Sequence, residues 1–107
     1  MSQFFNAGDE VVVRQYDDMM LEFGHVETNE KDIAVANVFT YGMRKYCGEY
    51  GVVEMVKDSI YHGRTTQLLD VRFYNRCLSS SNYIFSNEMF EPINQCRNHH
   101  FNLDDLV

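Results

Sequence analysis

The chain has no tryptophan, a single proline (Pro92), six glycines and only three cysteines (Cys47, Cys77, Cys96). An odd, small cysteine count excludes a disulfide framework in which every thiol is paired, and it suits a reducing compartment. Basic residues are scarce, nine Lys and Arg against sixteen Asp and Glu, for a net charge of −7. Affinity for phosphate backbones comes mainly from Lys and Arg, so this balance argues against direct nucleic-acid binding. No apolar run approaches the roughly 20 residues that span a bilayer. Residues 1–8 carry neither a basic cluster nor an apolar run of signal-peptide length, so the expected location is cytoplasmic. There is no Walker loop, no Gly-x-Gly-x-x-Gly and no nucleophile elbow around Ser79-Ser80-Ser81.

What is present points to one small folded domain. The length, 107 residues, fits a single core, and 45% of the residues are hydrophobic, with eight Phe and seven Tyr. The charge is uneven. Residues 1–38 hold eight acids against Arg14 and Lys31, a balance of −6, whereas residues 39–76 balance at +2 and the remainder at −3. The acidic first third reads either as a solvated face or as a surface for a basic partner, with Asp17, Asp18, Glu22, Glu27, Glu30 and Asp32 as its contacts.

Along the chain, Val11-Val12-Val13 reads as a first strand after the turn signal Ala7-Gly8-Asp9, because β-branched residues are stiff at χ1. Residues 17–23 read as a short helix, started by Asp17 or Asp18 and ended by Gly24. Residues 25–32 read as a polar loop and 33–39 as a short extended segment. Thr40 opens a second short helix, Tyr41 to Tyr46, with Met43 and Tyr46 pointing inward. Gly51 to Lys57 is a strand, with Val53 and Met55 on one side, and Asp58-Ser59 is a turn. Ile60 to His62 and Gln67 to Phe73 are later strands, separated by His62-Gly63-Arg64, the second with Leu69, Val71 and Phe73 on a buried face. Residues 82–86 form a further strand, and Asn87 to Pro92 a single helical turn. The expected core contains Val11, Val13, Met20, Phe23, Phe39, Met43, Val53, Met55, Leu69, Val71, Ile84, Phe85 and Met89.

A strand, a long excursion with two helical turns, three or four strands and a helical turn near the end is the order of a small SH3-like barrel. The expected fold class is therefore mainly β (α+β): an SH3-like barrel over residues 1–92 with two short helices inserted after the first strand. Residues 93–107 form a C-terminal tail, a docked strand or an interaction segment. Its apolar residues Phe101 and Leu103 are expected to dock on the barrel or on a partner.

The pattern Gly8-Asp9, Val11, Val13-Arg14, Asp17-Asp18-Met19, Glu22-Phe23-Gly24, then Phe39-Thr40, Met43, Tyr46-Cys47-Gly48, Val52-Val53, and finally Tyr83, Phe85-Ser86, Glu88-Met89 and Glu91-Pro92 resembles a group of small bacteriophage and prophage proteins of Gram-positive hosts. The resemblance covers residues 8–92. The group's pattern carries a tryptophan in the last strand, where this chain has Tyr83 or Phe85. It also has a shorter stretch between its last strands and no histidine-rich tail. Several phage proteins of this size inhibit host defence, anti-CRISPR proteins among them. The resemblance thus implies a binding protein acting in a host cell on a host protein, such as a nuclease or another defence factor. The net charge of −7 and the few edges of a barrel lead to the expectation of a monomer or weak dimer.

No catalytic constellation emerges, so the expectation is a non-enzyme without a cofactor. Cys47 reads as a small hydrophobe rather than a nucleophile, since a reactive thiol needs a base and an electropositive site. Cys96, His99 and His100 supply thiolate and imidazole, which suit zinc. A structural site needs about four ligands, so Cys77 or His62 would have to join them, and no metal site is assigned. The alternative function is an SH3-like recognition module for a peptide or small ligand, with Tyr16, Tyr41, Tyr46, Tyr50 and Tyr83 lining a groove.

Overall fold

The computed structural model describes residues 3–78 and 83–93. The fold is mainly β, built on one five-stranded antiparallel sheet. In chain order its strands are β1 (Glu10–Val13), β4 (Tyr50–Tyr61), β5 (Arg64–Phe73), β6 (Phe85–Ser86) and β7 (Phe90–Pro92). The excursion between β1 and β4 holds α1 (Tyr16–Phe23), the small hairpin β2 (His25–Val26) and β3 (Asn29–Ile33), and a 3₁₀ helix, Tyr41–Tyr46. The spatial order is β6-β5-β4-β1-β7, an open sheet with β6 and β7 at its edges.

The valine run lies where its propensity is most useful. β1 is paired with β4 on one side and β7 on the other, and Val11, Val12 and Val13 are all buried. The core around it contains Met19, Ile33, Val35, Phe39, Met43, Val53, Leu69, Phe73, Phe85, Met89 and Phe90. Tyr46 lies at the centre of an aromatic cluster, with ring centroids 5.2 Å from both Phe73 and Phe85. Edge-to-face and tilted contacts of this kind add to simple area burial.

Several expectations are corrected here. Residues 25–32 are a hairpin rather than a loop: His25 pairs with Ile33 and Val26 with Asn29. Its polar residues gave no strand signal because only Ile33, at its base, is buried. Residues 33–39 are not extended. They fold back so that Ile33 bridges Phe39, through a turn in which Asn37 and Val38 have φ of 62° and 45°. Asp58 and Ser59 are not a turn, because they pair with Gln67 and Thr66 inside one long β4–β5 hairpin. The reversal occurs four residues later at His62-Gly63, with φ of 50° and 78°, the two positive values that a tight primed turn needs. Residues 90–92 form β7 rather than the end of a helical turn, which covers only Asn87–Met89.

Within the expected core, Met55 is 66% and Ile84 58% exposed. A bulge between Val53 and Met55 adds one residue to β4, so counting by twos from Val53 puts Met55 on the wrong face. Ile84 immediately precedes Phe85, whose side chain is in the core, and neighbours along an extended chain point to opposite sides. Met20, Phe23 and Val71 are only partly buried and pack against the core. On α1 it is Met19 that is fully buried.

Candidate functional site

The excursion gathers most of the sequence-predicted contact residues. Asp17 and Asp18 stand in the first turn of α1, where their charge complements the helix dipole. The cap position itself is taken by Gln15. Glu27 lies in the turn of the β2–β3 hairpin and Glu30 on β3, and α1 packs against β3. Asp17, Asp18, Glu27 and Glu30 are all exposed, and none has an ion-pair partner among the described residues.

The other two acids are engaged internally. Glu22 accepts from Arg14 Nη2 at 2.6 Å. Burial pushes the Glu22 carboxyl up, the Arg14 bond and charge pull it down, and the group lies below its ordinary value. Asp32 accepts the backbone N–H of Tyr41 at 2.9 Å and so ties β3 to the 3₁₀ helix.

The tyrosines are divided. Tyr16 and Tyr41 meet edge to face at 5.9 Å, and the Tyr16 hydroxyl donates to the carbonyl of Lys31. Burial, with Tyr41 beside it, raises the pKa of the Tyr16 hydroxyl. The Arg44 guanidinium lies 3.5 Å and the Lys31 ammonium 5.1 Å from the centre of the Tyr41 ring. Tyr83 is 40% exposed, and its hydroxyl lies beside Gly42, 3.4 Å from where a Cβ would stand there. Tyr46 is 2% exposed and belongs to the core, so it lines no groove, contrary to expectation. Tyr50 instead lies with Val12, Gln15, Asp18 and Glu91. The five tyrosines therefore form no single groove; Tyr16, Tyr41 and Tyr83 follow the 3₁₀ helix.

Cys47 is half-buried, and burial pushes its thiol up, away from the thiolate that nucleophilic chemistry needs. No group of three or more His, Cys, Asp or Glu side chains is placed to hold a metal ion among the described residues. Cys96, His99, His100, Phe101 and Leu103 lie outside the described residues. Among the described residues no helix is long and apolar enough to cross a membrane.

Sequence reasoning missed the ion pair of Arg64 with Glu88. The two side chains are brought together by the β4–β5 hairpin and the turn between β6 and β7, at 2.7 and 3.1 Å. The one signal for it was an acid in an otherwise apolar turn, Glu88-Met89-Phe90. No protein-family model matches the chain, and neither a curated protein nor a solved structure matches it.

Proposed function

We propose that the chain is a binding protein whose acidic excursion engages a basic surface on a partner protein, in the manner of a phage-type inhibitor of a host factor such as a nuclease. The observation that carries this reading is the display of Asp17, Asp18, Glu27 and Glu30 on one excursion, exposed and without ion-pair partners among the described residues. Carboxylates left unpaired keep their field directed outward, where it steers and selects a cationic partner. The same array suits mimicry of nucleic-acid phosphates. Such a protein acts in the host cytoplasm, without enzymatic activity or cofactor, as a monomer or weak dimer.

The SH3-like barrel belongs to the same proposal. It is supported by the strand order, by the long excursion after β1 and by the single 3₁₀ turn that links edge strands β6 and β7. The test starts with capture from host lysate and identification by mass spectrometry. Capture is then repeated with the variant Asp17→Lys, Asp18→Lys, Glu27→Lys, Glu30→Lys. The expected result is loss of the captured partner and, for wild type, binding that weakens steeply with salt. Undiminished capture by the reversed variant overturns the reading.

A second reading, recognition of a peptide by an SH3-like module, is favoured by the aromatic ledge of Tyr16, Tyr41 and Tyr83 along the 3₁₀ helix. Peptide titrations followed by NMR distinguish the two. Shifts at Tyr41 and Tyr83 support the ledge, and shifts confined to α1 and the β2–β3 hairpin support the acidic surface.

A further inference from the structure

The sheet is open along one side of its longest hairpin. Strand β1 pairs with β4 only at residues 50–52, and the last bonds on that side join Val53 to Gly8 and Asp9, at 2.7 and 2.9 Å. Beyond them β4 continues for roughly 20 Å, over residues 55–61. The two-residue turn His62-Gly63 makes Tyr61 and Arg64 a hydrogen-bonded pair, and such pairs alternate along an antiparallel ladder. Val56, Asp58 and Ile60 therefore stand opposite Leu69, Gln67 and Thr65 without bonding them, and their N–H and C=O groups point away from β5. The bond from the Gln67 N–H to Asn87 Oδ1, on the far side of β5, agrees with this phase. Among the described residues nothing bonds the outward groups of Val56, Asp58 and Ile60.

An open strand edge has one geometric complement, another extended backbone. No proline interrupts this edge, since the only proline is Pro92. Beside it Ile60 is 75% and Phe4 57% exposed, and the two line a shallow groove with Asp58, Ser59 and Thr65. The edge is complementary to itself under a two-fold axis, because antiparallel strands exchange the same groups. Charge selects the register. Pairing centred on Lys57 or on Asp58 sets that residue against its own copy, which is destabilising. Centred on Ser59, the pairing sets Lys57 opposite Tyr61 of the second copy and Asp58 opposite its Ile60. The two Ile60 side chains then share one face at diagonal positions, about 7–8 Å apart along the ladder, with a Phe4 beside each.

We propose that β4 pairs with β4 of a second copy of this chain, antiparallel and about Ser59, in a weak two-fold dimer. The pairing does not rest on the acidic excursion or on any host partner. The seam is short, so the buried area falls below the roughly 1,200 Å² of stable complexes. The charge of −7 on each copy opposes the contact further. Added salt therefore strengthens it, whereas salt weakens the capture of a basic partner.

Sedimentation velocity of the full chain, from micromolar to millimolar concentration, should show a monomer–dimer equilibrium that shifts toward dimer with added salt. Amide exchange should slow at Asp58 and Ile60 as concentration rises. It should stay constant at Lys57 and Ser59, whose N–H groups are bonded inside the hairpin. Ile60→Asp sets a carboxylate against Asp58 of the second copy, and Ile60→Pro removes a donor of the seam. The position is open to solvent, so both variants should keep wild-type amide dispersion and weaken dimerisation at least about tenfold. A monomer at every concentration overturns the proposal. So does a dimer that survives both variants, which assigns it to another surface. Protection of Asp58 and Ile60 that is unchanged on dilution also overturns it, because the edge is then covered within one chain.

Discussion

Glu88, 3% exposed at its side chain, accepts both Nε and Nη2 of Arg64 at 2.7 and 3.1 Å and also receives the backbone N–H of Ala36 at 3.0 Å. One carboxylate thereby joins three parts of the molecule: the tip of the β4–β5 hairpin, the turn between the edge strands and the excursion. Its bond to Arg64 raises the pKa of the guanidinium, which stays cationic throughout the working pH range. Breaking a fully buried pair from one side costs about 3–5 kcal/mol, because a charge is left without its partner. Arg64 is 43% exposed, which lowers that figure. Arg64→Ala should therefore cost about 2–3 kcal/mol in urea unfolding. Glu88→Ala should cost at least as much, since the Ala36 N–H loses its acceptor too. Values within 0.5 kcal/mol of wild type would show that the junction is not formed in solution.

The bulge in β4 makes a sharp contrast between two residues of one strand. Val53 is 1% exposed and Met55 66%. Val53→Ala should destabilise by about 1–4 kcal/mol and Val71→Ala, half-buried opposite it, by less. Met55→Ala, at a position open to solvent, should stay close to wild type. Equal losses at Val53 and Met55 would place both on the core side.

Gly51 is required by space rather than by backbone angle. A Cβ there would lie 2.8 Å from the carbonyl oxygen of Arg72 and 2.8 Å from Val71 Cγ1. Both are on β5, and the first cannot move without disturbing the ladder. Gly51→Ala should therefore cost about 1–3 kcal/mol, the usual penalty for overpacking. A small stabilisation, as expected for Gly→Ala in an open strand, would contradict the close approach.

What was legible in the sequence follows from which signals are local. β1 was readable because three valines in succession have few other uses, and β5 because Leu69, Val71 and Phe73 alternate with Asp70 and Arg72. Gly24 marked the end of α1. The β2–β3 hairpin was not readable, since its pairing leaves most of its side chains in water and no apolar period arises. The reversal at His62-Gly63 was legible from its glycine, whereas Asp58-Ser59, a common turn pair, suggested a second turn inside what is one continuous β4. The bulge has no sequence mark, so its single extra residue moved Met55 from core to surface. The Arg64–Glu88 junction spans 24 residues and exists only after the hairpin and the edge turn are placed. The acids of the excursion were found as a composition. Only the fold separates Glu22 and Asp32, held internally, from the four that face outward.

Thiol reactivity should separate two cysteines. Cys77 is exposed, whereas Cys47 is half-buried with its pKa raised by burial. Alkylation followed by peptide mapping should modify Cys77 well before Cys47, because the thiolate is the nucleophile. Faster labelling at Cys47 would indicate an activated thiol and reopen the question of enzymatic chemistry.

The Arg14–Glu22 pair should give a pH-dependent contribution to stability. Arg14 is 15% exposed at its side chain, reaches the carbonyl of Glu88 at 3.4 Å and lies 5.7 Å from the centre of the Phe23 ring. Burial raises the Glu22 pKa, the bond and charge of Arg14 lower it, and the net shift is downward. A carboxyl with a folded-state pKa below its unfolded value stabilises the fold above the unfolded pKa. That contribution is lost as pH falls through the folded value. Glu22→Gln should therefore cost about 0.3–1 kcal/mol at neutral pH, the range for a partly exposed pair. The gap from wild type should close in acid, below the ordinary carboxylate range. Arg14→Ala should cost more, because it also removes the contacts with Phe23 and Glu88, and part of its cost should persist in acid. Melting curves of the three proteins across acid to neutral pH give the comparison. A Glu22→Gln penalty that is constant across that range would mean that the ion pair does not lower the carboxyl's pKa.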